Sequence, residues 1–180
     1  VVQSNKQAGI FLAFKDVSEK REVQLRLAEA AQRDSLTGLF NRRAFTHHIH
    51  NAVRTAHDRH IPLTLFVIDL DGFKICNDTH GHPVGDQILI EAASVICLST
   101  RSSSGDAGFR YGGDEFAVIM SGVGLEEGQQ IALRIQQEFC RRDTKGVTMS
   151  IGLAQYQDHY SVEDFIRAAD QAMYEAKESG

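Results

Sequence analysis

Arg110-Tyr111-Gly112-Gly113-Asp114-Glu115-Phe116-Ala117-Val118-Ile119-Met120 is the stretch whose reading decides the fold. Ala107 to Tyr111 reads as one short strand. Phe116 to Met120 reads as another, apolar and partly β-branched. A glycine pair between two strands is what a tight hairpin uses when its turn residues need positive φ. Two carboxylates follow at once, so acids stand at a hairpin tip where a cation or a phosphate can approach. Successive strand residues face opposite sides, so Asp114 and Glu115 cannot do the same job from one face. Taken alone, the motif is equally a solvated turn, and the rest of the chain has to decide.

Upstream, Leu63-Thr64-Leu65-Phe66-Val67-Ile68 is a nearly continuous apolar run that ends in Asp69-Leu70-Asp71. It reads as a central strand buried on both faces, with carboxylates at its C-terminal end. Acids there are costly unless they are paired or metal-bound. Gly72-Phe73-Lys74 begins a short helix whose first N–H groups, together with Lys74, suit a phosphate. A surface ion cluster is the bland alternative. His82-Pro83-Val84-Gly85-Asp86 opens a long helix with Ile88, Leu89, Ala92, Val95 and Ile96 as its buried stripe.

Arg101 to Asp106 is a loop by composition. Leu125 to Arg141 is a core-facing helix through Ile131, Leu133, Ile135 and Phe139, and Val147 to Ala154 alternates like a strand. Ser161-Val162-Glu163-Asp164 is a capping box before the final helix, which carries Lys177 near its end. Nearer the start, Asp34 to Arg43 breaks a helix at Gly38 and restarts another near Asn41. Phe45, Ile49, Ala52 and Ala56 then share one stripe. His47, His48 and His50 fall mostly on the polar side without a partner at ligand spacing, so they read as a solvated face rather than a metal site.

The totals narrow the function. A chain of 180 residues fits one domain plus an appendage, and 42% hydrophobic with 24% charged residues is ordinary for a globular protein. A net charge of −5 argues against a nucleic-acid partner held by phosphate neutralisation. It leaves a nucleotide substrate open, because a bound metal reverses the local sign. Cys76, Cys97 and Cys140 lack metal-ligand spacing and are expected to be buried thiols in a reducing compartment. No apolar run reaches transmembrane length and no signal peptide opens the sequence, so the expected location is cytoplasmic, compatible with a membrane anchor further upstream.

Acids at the end of a central strand, with more acids at a neighbouring hairpin, form a two-point clamp for divalent metal. Two-metal nucleotidyl transfer requires such a clamp. Four blocks of the sequence then resemble the signature motifs of GGDEF-domain diguanylate cyclases. They are Asp69-x-Asp71-x-Phe73-Lys74-x-x-Asn77-Asp78, Gly81-His82-x-x-Gly85-Asp86, Gly112-Gly113-Asp114-Glu115-Phe116 and Ala169-Asp170-x-Ala172-Met173-Tyr174-x-Ala176-Lys177. Asp34-x-Leu36-Thr37-Gly38-Leu39-x-Asn41-Arg42-Arg43 resembles that family's opening motif, so the match spans 34–180.

The resemblance implies an α/β (α+β) domain of the ferredoxin-like kind. A central, mainly antiparallel sheet is surrounded by helices, as in polymerase palms and nucleotide cyclases. It implies that two GTP condense to cyclic di-GMP with release of two pyrophosphates. Attack is by a ribose 3′-hydroxyl on an α-phosphate, where two facing copies meet as a homodimer. The cofactor is Mg2+ (or Mn2+), two per half-site.

Carried over residue by residue, Asp69 and Asp114 hold the metals with the carbonyl of Leu70. Gly112 and Gly113 let the backbone lie close to the nucleotide. Lys74 and Lys177 contact phosphates, with the amides of Phe73 and Lys74. Asp114, Glu115 and Lys177 form the catalytic set, Glu115 either helping to deprotonate the 3′-hydroxyl or supporting the metal site. A carboxylate such as Asp86 accepts from both N1–H and the N2 amino group of guanine, whereas adenine would face it with an acceptor. Asn77 serves the remaining N2/N3 edge. Buried polar groups left unpaired cost about 1–3 kcal/mol each, which disfavours ATP.

Two departures from the fullest family pattern stand out. The Arg-x-x-Asp product-inhibition site keeps Asp106 but has Ser103 where the arginine belongs, so product inhibition through this loop is expected to be weak. The family tends to place a basic residue soon after the final Lys-x-x-Gly, and this sequence stops at Gly180.

The first residues add a second resemblance. Gly9 to Arg21 is similar to the last strand and exit motif of a PAS sensor. The implied organisation is a PAS-like remnant over 1–17, a connecting signalling helix over 18–33 and the cyclase domain over 34–180. In that helix Val23, Leu27 and Ala30 suit a solvated linker and a parallel dimer seam equally. Two rival functions remain. One is a catalytically silent GTP-binding module that regulates an attached phosphodiesterase. The other is a polymerase palm, which the acidic charge and the lack of basic stripes disfavour.

Overall fold

Residues 32–100 and 105–179 are described by the computed structural model. The PAS-like remnant, residues 18–31 of the connecting helix, and Arg101 and Ser103 of the loop lie outside the described residues. In chain order the elements are β1 (Phe40–Asn41), α1 (Arg42–Arg59), β2 (Leu63–Asp71), α2 (Phe73–His80), α3 (His82–Ser99), β3 (Ala107–Arg110), β4 (Glu115–Ser121), α4 (Leu125–Cys140), β5 (Thr148–Gln155) and α5 (Val162–Ser179).

The apolar run of β2 pairs along both edges, antiparallel to β4 on one side and to β5 on the other. The sheet order is β1-β3-β4-β2-β5, with only the short β1–β3 pair parallel. From β2 onward the chain runs strand, helices, strand, strand, helix, strand, and those four strands lie in the order β3-β4-β2-β5. That is the ferredoxin-like arrangement.

Side chains alternate along β2. Phe66, Ile68 and Leu70 join one core with residues of α2, α3 and α4, while Leu63, Leu65 and Val67 join a second with residues of α1 and α5. Both faces are covered by helices, which is why the β2 sequence is continuously apolar although its neighbours are antiparallel. Burial rather than strand direction sets the pattern.

Two helix starts position the site. Asn41 caps α1, its side-chain oxygen accepting the Ala44 N–H at 3.0 Å. At α5 the capping box is complete. The Ser161 hydroxyl accepts the Asp164 N–H at 3.0 Å, and the Asp164 carboxylate accepts the Ser161 N–H at 3.3 Å. Helix α5 then lies directly on β5, where a Cβ at Gly152 would stand 2.0 Å from the Met173 nitrogen. That close seat fixes where the far end of α5, with Lys177, meets the sheet.

Two sequence expectations need correction. Leu133 does not join the core and is 50% exposed, since the buried stripe of α4 runs through Gly128, Ile131, Ala132, Ile135 and Phe139. Of the three free cysteines only Cys76 is buried. Cys97 and Cys140 each follow a buried helical residue by one position, and that rotation turns them outward.

Candidate active site

The hairpin tip between β3 and β4 is built for clearance rather than for unusual dihedrals. Neither Gly112 nor Gly113 is among the positive-φ glycines, which corrects the turn expected from the sequence. Instead, the N–H groups of Tyr111 and Gly112 both donate to the Glu115 carbonyl, at 2.8 and 3.1 Å. A Cβ at Gly112 would fall 2.3 Å from Glu115 Oε2, so glycine is what lets that carboxylate lean back over the loop. Gly113 faces open space, with nothing within 4 Å of where its Cβ would be. The bare backbone at the tip is accessible to a ligand.

Arg110 holds this tip in place. Its guanidinium donates to the Gly113 carbonyl at 3.1 and 2.7 Å and to both carboxylate oxygens of Asp34 at 3.1 and 3.3 Å. Asp34 also accepts the Thr37 N–H at 2.9 Å and the Thr37 hydroxyl at 2.7 Å. Burial alone would raise the Asp34 carboxyl, but the hydrogen bonds from Thr37 and Arg110 outweigh it and hold the group below its usual range. The turn at the start of the domain is thereby tied to the hairpin. The Leu70 N–H adds a further tie by donating to the Asp114 carbonyl at 3.3 Å.

The carboxylates gather around one ammonium. In register, Asp69 lies opposite Glu115 on β4 and opposite Ser150 on β5, on the sheet face that α5 covers. Lys177 Nζ stands 2.5 Å from Asp69 Oδ1 and 4.0 Å from Asp71 Oδ1. The hydrogen bond to Asp69, aided by the fields of Asp69, Asp71 and Asp114, raises the Lys177 pKa against the effect of burial. Asp71 is held from the other side by the hydroxyls of Ser150 (3.0 and 2.9 Å) and Thr148 (3.1 Å).

The ammonium occupies the position of a compensating cation, so the donor set suits divalent metal by charge. No three His, Cys, Asp or Glu side chains among the described residues converge into a ready cage. The carboxylates of Asp69 and Asp114 with the Leu70 carbonyl are the hard oxygens that could hold Mg2+ here.

At the other end, α2 starts on Gly72, which brings no side chain to cap the first turn. Phe73 is buried and fixes that turn against the core, while Lys74 is exposed beside it. Asn77, on the next turn of α2, packs against Gly85 of α3, and Asp86 follows as an exposed residue. An apolar crevice of about 380 Å³ lies on the α1/α5 side beneath Glu115 and is floored by Phe45, Val67, Ala117 and Ile166. Its one cation, Arg167, is already paired with Asp164 and is outnumbered by Glu115, Glu163 and Asp170 along the lining, so the exposed tip at Gly113 is the better seat for a phosphate.

The family profile "Diguanylate cyclase, GGDEF domain" matches residues 31–180. The chain belongs to the GGDEF family. Among curated relatives of this GGDEF chain, diguanylate cyclase DgcM of Escherichia coli K12 is 31% identical over 172 residues, covering 92% of this chain and 40% of its own. Diguanylate cyclase DgcS of Shewanella oneidensis is 38% identical over 150 residues, covering 82% of this chain and 50% of its own. Response regulator PleD of Caulobacter vibrioides is 37% identical over 161 residues, covering 84% and 35%. The chain thus spans half or less of these relatives' length.

Among solved structures, the coiled coil and GGDEF domain of DgcB from Caulobacter crescentus, in complex with c-di-GMP, superposes with a TM-score of 0.89. It shares 30% identity, covering 97% of this chain and 95% of that one.

Within this GGDEF domain the structure also uses residues that sequence reasoning did not assign. Arg110 and Asp34 brace the hairpin, and Asp71 with Ser150 braces the end of β2. Both had a weak signal, a cation next to the glycine pair and a second acid two positions after Asp69, but neither partner was visible. Asp106, just before β3, is 8% exposed and accepts the Ser121 N–H at 3.1 Å, joining the start of β3 to the end of β4. His48 is half-buried and meets Phe40 tilted and Phe109 edge-on, whereas His47 and His50 are exposed. No helix among the described residues is long and apolar enough to cross a membrane.

Proposed function

We propose that this chain is an active diguanylate cyclase domain that condenses two GTP into cyclic di-GMP, with two copies facing each other and each bringing one nucleotide. The observation that carries the reading is the pairing of Asp69 and Asp71 with Lys177 at the end of β2, beside an open backbone at Gly113. Anionic side chains collected at one place, with a glycine tip that admits a ligand, suit a polyphosphate held through cations.

Asp69, Asp114 and the Leu70 carbonyl would hold Mg2+ or Mn2+, two per half-site. Metal bound there lowers the pKa of the attacking 3′-hydroxyl and neutralises the departing pyrophosphate. The chain's own groups do the rest. Lys177 pairs with Asp69, and its exposed ammonium has room for a phosphate oxygen as a further anionic partner. Lys74 and the N–H groups of Phe73 and Lys74 bind phosphate at the start of α2. Glu115 leans over Gly112, and its role would be to accept the proton of the incoming hydroxyl or to orient water on the metal. Asp86 accepts from the guanine N1–H and N2 amino group, and Asn77 completes the base edge. Product inhibition at the Ser103 and Asp106 loop is weak, leaving control to a PAS-like sensor upstream.

Incubating the protein with GTP and Mg2+ and separating the products by chromatography tests the reading. Cyclic di-GMP with two equivalents of pyrophosphate is expected. Intact GTP after prolonged incubation of a folded, dimeric protein would refute it.

A further inference from the structure

Among the described residues, one buried side-chain oxygen accepts no hydrogen bond, Oδ1 of Asn77 on α2. Buried polar groups are nearly always paired, so an orphan asks for a reason. Its nearest surroundings supply one. A Cβ placed on Gly85 of α3 would fall 1.9 Å from that oxygen, 2.8 Å from Asn77 Cγ and 3.2 Å from Asn77 Nδ2. The carboxamide is therefore seated in the space where any other residue would carry its side chain.

Gly85 is not among the left-handed glycines, so backbone conformation does not explain it. A glycine inside a helix is normally a liability relative to alanine, and here what it gives in return is the clearance. Of the amide's two polar atoms, the oxygen is the one pressed against Gly85, which leaves the NH2 as the end that is free to donate elsewhere.

We infer that Gly85 is a positioning residue for base recognition. Its missing side chain seats the Asn77 carboxamide oxygen-first, so that the Asn77 amide donors and the neighbouring Asp86 carboxylate present one edge to a purine. This rests on the proposed assignment of Asn77 and Asp86 to the guanine, and adds that Gly85 acts only through Asn77.

A double-mutant cycle tests it. Binding of α,β-methylene GTP with Mg2+ is measured by calorimetry for the parent, Gly85→Ala, Asn77→Ala and the double variant, with thermal unfolding of all four. Each single variant is expected to weaken binding on the order of tenfold. The double variant should bind like Asn77→Ala alone, because removing the amide makes room for the new methyl. In turnover assays Gly85→Ala should raise KM more than it lowers kcat, the mark of lost substrate binding. A Gly85→Ala protein that unfolds alone but folds in the Asn77→Ala background supports the inference equally. Parent-like affinity in Gly85→Ala, losses that multiply in the double variant, or unfolding of Gly85→Ala in both backgrounds would overturn it while leaving the base pocket standing. Unchanged affinity in Asn77→Ala would instead overturn the base-pocket assignment, and this inference with it.

Discussion

At the hairpin end of the proposed nucleotide site the polar groups are engaged with one another. Arg110 spans Gly113 and Asp34, Ser150 and Thr148 hold Asp71, and Lys177 sits on Asp69. At the α2–α3 end the opposite holds. Gly72 offers no side-chain cap, Lys74 and Asp86 are exposed, and Asn77 turns its oxygen into the Gly85 clearance. The contrast follows from what each end must do. Several carboxylates cannot be collected in one place without compensating cations, so that end carries its own scaffold. A base edge is recognised by groups the protein leaves unsatisfied, so this end is completed by the ligand.

The contrast can be broken most severely at the carboxylates. Asp69→Asn or Asp114→Asn removes charge without volume. Turnover should fall by about three orders of magnitude or more, with the unfolding temperature nearly unchanged. Near-normal cyclic di-GMP production in either folded variant would remove the metal assignment.

Arg110→Met strikes the scaffold instead of the chemistry. It leaves Asp34 without its guanidinium and Gly113 without its donor, and should cost about 1.5–3 kcal/mol in denaturant unfolding together with activity. Activity lost without any loss of stability would mean that Arg110 touches substrate rather than bracing the hairpin. The ligand-completed end predicts the reverse. Asp86→Ala should weaken GTP binding on the order of tenfold or more and leave stability within about 0.5 kcal/mol of the parent. A marked destabilisation would show that this end too is scaffolded.

Acid sharpens the picture at Asp34. Its folded pKa lies below the ordinary 3.8, so the stability it contributes is complete above that value and is lost as pH falls through the lower, folded value. The stability gap between the parent and Asp34→Asn should be widest near neutrality and close as the pH drops below 3.8. A gap that stays constant through that range would assign the effect to shape rather than charge.

The smallest expected signal concerns the product. Cyclic di-GMP titrated against the domain should bind weakly, since serine at 103 cannot supply the charged fork of an arginine. Submicromolar binding at that loop would contradict this. Asp106→Ala is a poor probe of the loop because it also deprives the Ser121 N–H of its acceptor; Ser103→Arg, which should restore product binding, is cleaner.

The sequence by itself determined whatever depends on neighbours in the chain. The apolar run of β2, the Asn41 cap, the capping box at Ser161 and the short strands around the glycine pair were legible because period, cap and turn chemistry act over a few residues. The blocks that mark the family were legible for the same reason, each being a local string.

Only the tertiary structure decided the meetings across the chain. Arg110 finds Asp34 over 76 positions and Lys177 finds Asp69 over 108, and no local pattern names either partner. It also reassigned what the string had suggested. Gly112 serves clearance for Glu115 rather than a left-handed turn, Leu133 turns outward and Asp106 becomes a strand cap. Gly85 proves to be the floor on which Asn77 rests. A sequence states which residues are available and how they are spaced along one helix or strand. Which oxygen meets which hydrogen is set by how helices seat on the sheet, and at Gly85 and Gly152 that seating is closer than one methyl group allows.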